Sequence, residues 1–179
     1  MMKAMIRLAQ PADNIAVADF CQPIYAAVYP NDKYGMRPEH FSSDVFSSPR
    51  TQEYIADTML NHNLQRAFIA ENAGAIVGTI SIERSEQFYD IHAFYVDPAF
   101  QGRGIGRNLM ARALKFCTDN VPVRAEVAET NDRAIGMYRH WGFDEAEELG
   151  LSLRHWPEWP DGLHNGYIFF TAAAKEIHV

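Results

Sequence analysis

Apolar residues recur along this chain with two different periods, and the switches between them mark its elements. Positions 4–8 alternate, with Ile6 and Leu8 apolar, and predict a short strand. Pro11 and Asp13 then open a helical pattern that carries Ile15, Phe20, Ile24 and Val28. Pro30 and Pro38 bracket a loop, and Pro38 starts a short helix through Phe41 and Val45. Ser48 and Pro49 read as the N-cap and first position of another helix, carrying Tyr54, Ile55, Met59 and Leu60. From residue 67 the period falls to two. Runs over 67–71, 75–83 and 88–96, the first two joined by Asn72-Ala73-Gly74, predict three antiparallel strands.

The third run ends at Asp97-Pro98, because proline gives a strand ladder no donor. Apolar positions 105, 109, 113 and 116 then set out a helical stripe. A strand over 123–128 follows, and a crossover through that helix leaves it parallel to 91–96. A helix over 131–141, a strand around 149–153, a loop rich in Pro, Trp and Gly over 156–162, and a last strand over 167–171 complete the chain. With no linker and no internal repeat, the order predicts one α/β domain spanning 1–179 around a mixed sheet.

The chemistry concentrates between the third strand and its helix. Gly102, Gly104 and Gly106 alternate immediately before and inside the helical stripe. Alternate glycines let backbone approach a ligand, and the first N–H groups of a helix, with the positive end of its dipole, favour a phosphate or pyrophosphate. Arg103 and Arg107 add positive charge there. A dinucleotide fingerprint counted from Gly102 and Gly104 would need a small residue where Arg107 stands, and no Gly-Lys-Ser/Thr phosphate loop occurs.

What remains is Gln/Arg-x-x-Gly-x-Gly/Ala, filled by Gln101, Gly104 and Gly106. It resembles the pyrophosphate-binding loop of the GCN5-related N-acetyltransferases (GNAT), which bind acetyl-CoA. Asn131, Ala134, Tyr138, Gly142 and Phe143 form a second pattern, similar to that family's next helix and its exit. The resemblance implies a single-domain GNAT-like α/β fold, with a mixed, mostly antiparallel sheet of about seven strands flanked by helices. The fourth and fifth strands would be parallel and splayed. By motif position, the backbone of Phe94, Tyr95 and Val96 would bond the pantetheine arm. Gln101 and the amides of Gly102, Arg103, Gly104, Ile105, Gly106 and Arg107 would hold the pyrophosphate. Asn131 would touch the cofactor while capping its helix, and Gly142 would allow the left-handed turn that ends it.

Transfer to an amine needs a proton for the departing thiolate, and Tyr138 stands where the family places that acid. A neutral tyrosine, pKa about 10, can donate at neutral pH. Glu126 matches the spacing of the proton acceptor in the family's ribosomal-protein alanine N-acetyltransferases. On the third run, Asp90 and His92 share the parity of Phe94 and would reach the slot if that face lines it; Glu83 is a further candidate. The family's acceptor wall follows the first strand, which implicates Tyr29, Asp32, Tyr34 and Glu39.

Composition narrows the function classes. At 179 residues and 47% hydrophobic, the chain can bury a substantial core. A net charge of −7 provides no basic field for nucleic acid or an anionic membrane, and suits a cationic acceptor. Cys21 and Cys117 make no disulfide framework, and Cys117 falls on the apolar side of the glycine-led helix. The seven histidines show no metal-ligand spacing, so no metal is expected. The N-terminus lacks a leader's apolar core, and no run approaches the roughly 20 apolar residues of a membrane span. The expectation is a cytoplasmic acetyl-CoA-dependent enzyme acting on a small cationic amine, either a polyamine or an amino acid derivative. The alternatives are a protein N-terminal or lysine acetyltransferase and a non-catalytic acyl-CoA-binding module. The 156–162 loop would cover the acceptor site or form a homodimer contact.

Overall fold

A computed structural model describes residues 4–179; the first three, on which part of the leader expectation rested, lie outside it. The strands are β1 (Met5–Leu8), β2 (Gln65–Asn72), β3 (Ala75–Arg84), β4 (Tyr89–Val96), β5 (Val123–Ala128), β6 (Asp144–Glu145), β7 (Ser152–Arg154) and β8 (Asn165–Ala172). They form one sheet in the order β1-β2-β3-β4-β5-β8-β6, with β7 also paired to β8. Every pairing is antiparallel except β4 with β5. The helices are α1 (Asn14–Val28), α2 (Ser43–Phe46), α3 (Pro49–Thr58), α4 (Ile105–Leu114) and α5 (Asp132–His140).

The helices cover the sheet from both sides and divide its core in two. On one face Leu109, Met110 and Ala113 of α4, with Tyr138 and Trp141, pack on Ile80, Ile82, Ile91 and Val123. On the other, Val17, Ala18 and Cys21 of α1 meet Phe41, Phe46 and Ile55 over Ala67 and Ile69. The middles of β2 and β3 are buried on both faces, including Thr79 and Ser81. Ser48 caps α3 through a bond from the Thr51 amide (3.2 Å), with Pro49 in the first turn where its missing donor costs nothing.

Differences from the expected elements are local. The sheet has eight strands rather than about seven, because two-residue β6 is too short to show a period. The strand expected over 149–153 is a 3-10 turn (Glu147–Leu149) followed by β7. Helix α4 stops at Leu114, so Phe116 and Cys117 lie beyond it rather than on its stripe, and Cys117 is half-buried. Met59 and Leu60 likewise follow the end of α3.

Candidate active site

The site begins where two strands part. β4 and β5 pair only at Tyr89 with Val123, Asp90 with Arg124 and Ile91 with Ala125. Past that point β5 stays on β8 through Ala128 while β4 stays on β3 through Val96. Between them opens a cleft of about 690 Å³, with Phe94, Tyr95 and Val96 on one wall and Glu126, Val127 and Ala128 on the other.

A bulge in β4 causes the parting. Between Ser81–His92 and Thr79–Tyr95, β4 carries one residue more than β3. Ala93 takes φ 47°, a left-handed conformation uncommon for a residue with a Cβ, and Thr79 Oγ1 donates to its carbonyl at 2.6 Å. The extra residue swaps the faces of everything after it. Phe94 packs on the α4–α5 side, against Trp141 at 5.9 Å between ring centroids. His92 instead lies with Tyr25 and Tyr95 on the α1 side. The expectation that Asp90 and His92 share the face of Phe94 is therefore corrected; strict alternation fails at the bulge.

At the mouth of the cleft, Gly102 and Gly104 have φ 73° and 77°, and a Cβ on either would meet nothing within 4 Å. The backbone there is open and positioned for close approach. From Gly102 to Arg107 six successive amides have no acceptor among the described residues; the first bond of α4 runs from Asn108 to the Gly104 carbonyl, 2.9 Å. They form a run of unbonded donors leading into the positive end of a ten-residue helix. The Gln101 side chain does not point outward: its Nε2 donates to the Val96 carbonyl at 3.0 Å and ties the loop to β4. Arg103 lies over the Phe100 ring and bonds the Ala99 carbonyl, whereas Arg107 lines the cleft.

Across the cleft, Asn131 Oδ1 accepts from the Ala134 amide (3.1 Å) and caps α5, as expected. Tyr138 lines the cleft at 5% exposure, stacked on Phe170 (17° between planes) with Phe143 edge-on. Its hydroxyl has no hydrogen-bond partner among the described residues, and burial pushes its pKa well above the usual tyrosine value. Gly142 ends the segment at φ 89° with the Glu176 carbonyl 2.8 Å from where a Cβ would sit, so only glycine fits.

A second cavity of about 470 Å³ adjoins the first on the α1 side, and Glu126, Tyr29 and Tyr95 line both. Its floor is a chain of hydroxyls: Tyr95 bonds Tyr25 at 2.8 Å and Tyr29 at 2.9 Å. Burial raises the pKa of all three. Glu126 does not stand free. Arg154 Nε donates to its Oε1 at 2.7 Å and Nη2 meets Oε2, so one guanidinium holds both oxygens. His92 Nε2 lies 3.5 Å from Glu83, and burial lowers its pKa against the opposing pull of Asp90 and Glu83. The loop over 156–162 covers this cavity: Trp156 packs on Tyr25, Trp159 Nε1 donates to the His40 carbonyl at 2.9 Å, and Glu158 accepts from Ser48 Oγ at 2.8 Å.

Of the four wall residues expected, only Tyr29 lines the cavity. Tyr34 is bonded to Glu129, which also pairs with Lys33. Asp32 pairs with Arg37 in solvent, and Glu39 is exposed away from the cavity. Sequence reasoning missed Tyr25, Tyr167 and Arg154, and Tyr54 it read only as a helix position. Tyr25 lies one turn before Tyr29 on α1, a spacing that could have revealed it. Among the described residues no group of three or more metal-ligating side chains occurs, and no helix is long and apolar enough to cross a membrane.

A forked parallel strand pair, with a run of unbonded amides at the mouth of the fork, defines an acyl-carrier-binding class of α/β fold. The chain belongs to the GNAT acetyltransferase family, whose model matches residues 31–143. It is 40% identical over 91 residues to the N-alpha-acetyltransferase RimI of Mycobacterium tuberculosis, a match over 49% of this chain and 55% of that protein. The chain thus spans about half the length of that curated relative. Its fold is shared with PaiA N-acetyltransferase from Thermoplasma acidophilum in complex with coenzyme A (TM-score 0.64, 17% identity, 93% of this chain and 98% of that one). It is also shared with the ribosomal-protein-S18-alanine N-acetyltransferase of Escherichia coli (TM-score 0.64, 16% identity, 96% and 94%).

Proposed function

We propose that the protein transfers the acetyl group of acetyl-CoA directly to a primary amine. The observation that carries this reading is the run of six unbonded amides from Gly102 to Arg107, at the mouth of a cleft that leads to a second cavity. A pyrophosphate fits there: the amides are unbonded, Gly102 and Gly104 leave space above them, and Arg107 supplies charge. The edge of Phe94 and Tyr95 that β5 leaves unpaired fits an extended amide-bearing arm, with the Val96 carbonyl held by Gln101 and Asn131 on the opposite wall. Bound there, acetyl-CoA would supply an acyl group activated as a thioester.

The residues around the fork then divide the work. Tyr138 gives its proton to sulfur as the C–S bond breaks, a role that suits a hydroxyl kept neutral by burial. Glu126, lining both cavities, orients the amine and receives its proton as the C–N bond forms. Water replenishes Tyr138 from the open cleft.

The acceptor is a small amine on this reading, because the 156–162 loop is tied across the second cavity by Trp159 and Glu158. A second reading, acetylation of a polypeptide α-amine, draws on the similarity to RimI. An α-amine, pKa near 7.8, needs only about 1 kcal/mol to lose its proton at pH 7, against about 4 to 5 for an alkylamine near 10.4. The test is free-thiol release from acetyl-CoA across a panel of polyamines, amino acids and peptides with a free N-terminus. Release with an acceptor supports the enzyme. CoA binding with no acceptor-dependent release would make the protein a non-catalytic acyl-CoA-binding module instead.

A further inference from the structure

The ion pair between Glu126 and Arg154 lies in the wall of the second cavity. Arg154 ends β7, a three-residue strand at the sheet margin, and its side chain is 49% exposed. Glu126 stands on β5 directly past the last β4–β5 pair, with its side chain 18% exposed. Arg154 is half-exposed and only two of its five guanidinium donors hold Glu126, so the others are open to a ligand. Both members line the cavity, and Glu126 also reaches the thioester cleft. Arg50, at the head of α3, lines the same cavity with no hydrogen-bond or ion-pair partner among the described residues.

We propose that this pair is the recognition element for a free α-amino acid: the acceptor's ammonium takes Glu126 and its carboxylate takes Arg154, the zwitterion lying against the internal ion pair. The inference rests on the acetyltransferase reading above and names its acceptor. The geometry matches, since an α-ammonium nitrogen and its nearest carboxylate oxygen are roughly 3 Å apart by standard bond lengths, and Arg154 Nε is 2.7 Å from Glu126 Oε1. The zwitterion can lie alongside with each charge against its opposite. That places the amine at the junction of the two cavities, beside the fork. Other acceptors answer the pair incompletely. A polyamine offers Glu126 a cation and leaves Arg154 facing like charge, and a polypeptide N-terminus has an amide where the carboxylate should be. The remaining walls, Tyr25, Tyr54, Trp156 and Tyr167, fit an apolar or aromatic side chain.

The test is calorimetric binding to the CoA-saturated protein, so it needs no turnover. L-phenylalanine, L-methionine and L-leucine are each compared with the corresponding amide, which keeps the amine and side chain and removes the carboxylate charge. At least one acid should bind about tenfold more tightly than its amide, roughly the 1.4 kcal/mol of one charge-assisted hydrogen bond. Arg154→Gln should abolish that preference while leaving CoA binding unchanged, and Arg154→Lys should keep part of it. Equal binding of acid and amide in all three pairs, or a preference that survives Arg154→Gln, overturns the inference. Failure of the protein to bind CoA would instead overturn the acetyltransferase reading, and thiol release with peptides or polyamines but no acid preference would leave that reading standing and sink this one.

Discussion

Tyr138 shows how much a single side chain's surroundings determine what it can do. Phe143 and Phe170 enclose the ring, and among the described residues nothing competes for the hydroxyl. Phenylalanine would keep those ring contacts and remove only the hydroxyl, so Tyr138→Phe should lower turnover at least about tenfold, a floor below the roughly 10²–10⁴-fold typical of general acids and bases. CoA affinity by calorimetry should stay unchanged, and unchanged turnover would remove Tyr138 from the chemistry. Because burial raises its pKa, deprotonation of this group produces no falling limb in the rate below about pH 10. His92 titrates the other way. Burial depresses its folded pKa below about 6.5, so on acidification the unfolded chain binds a proton that the folded one resists. Stability is lost as pH falls from about 7.5 to 5.5, and His92→Gln should lose less over that range, read from urea midpoints at both values.

At the scale of elements, helix α4 packs tightly on the sheet beside the β4 arm of the fork. A Cβ on Gly78 of β3 would stand 3.0 Å from a Leu109 methyl, 3.2 Å from the Tyr95 carbonyl and 3.3 Å from Ile105. The carbonyl cannot yield, so Gly78→Ala should push α4 outward and weaken CoA binding by fluorescence titration, though Gly78 lies outside the amide run. Gly104→Ala, with open space around it, should lose only about 1–2 kcal/mol for its left-handed backbone. Equal CoA affinity in Gly78→Ala and the parent would show that the helix does not need this close approach. Elements of this kind were legible early because their signals are local: a strand stopped by Pro98, alternating glycines, and apolar positions four apart. The bulge was not legible. Its key residue is Ala93 rather than glycine, and its support is a hydroxyl of Thr79 on a neighbouring strand, so nothing within β4 announces it. That one residue puts His92 and Phe94 on opposite faces, where strict alternation places them together.

For the molecule as a whole, the second cavity depends on parts brought together from far along the chain. Glu126 meets Arg154 across 28 positions, and Trp159 meets His40 across 119. Such pairs carry no spacing signal, and β7 is too short to predict the direction of its side chains. Local patterning therefore located the glycine-led turn and its helix, one contiguous segment, and left the second cavity unread. The loop over 156–162 joins the end of the sheet to the helices on its α1 face, and Trp159 is its anchor at 3% exposure, edge-on to Phe41 and parallel to Trp156. Truncating a buried tryptophan typically costs about 3–5 kcal/mol through lost contacts and the cavity left behind. Trp159→Ala also frees the His40 carbonyl and lets the loop swing from the second cavity. The first cleft is built from β4, β5, α4 and α5 with the end of α1, and Trp159 meets none of its lining residues through its ring contacts and hydrogen bonds. The two effects should separate: urea denaturation should show a loss of about 3 kcal/mol or more, whereas CoA affinity at 25 °C should hold and the acceptor's KM should rise. A parallel loss of CoA affinity would mean that the two cavities are coupled through the sheet rather than built side by side upon it.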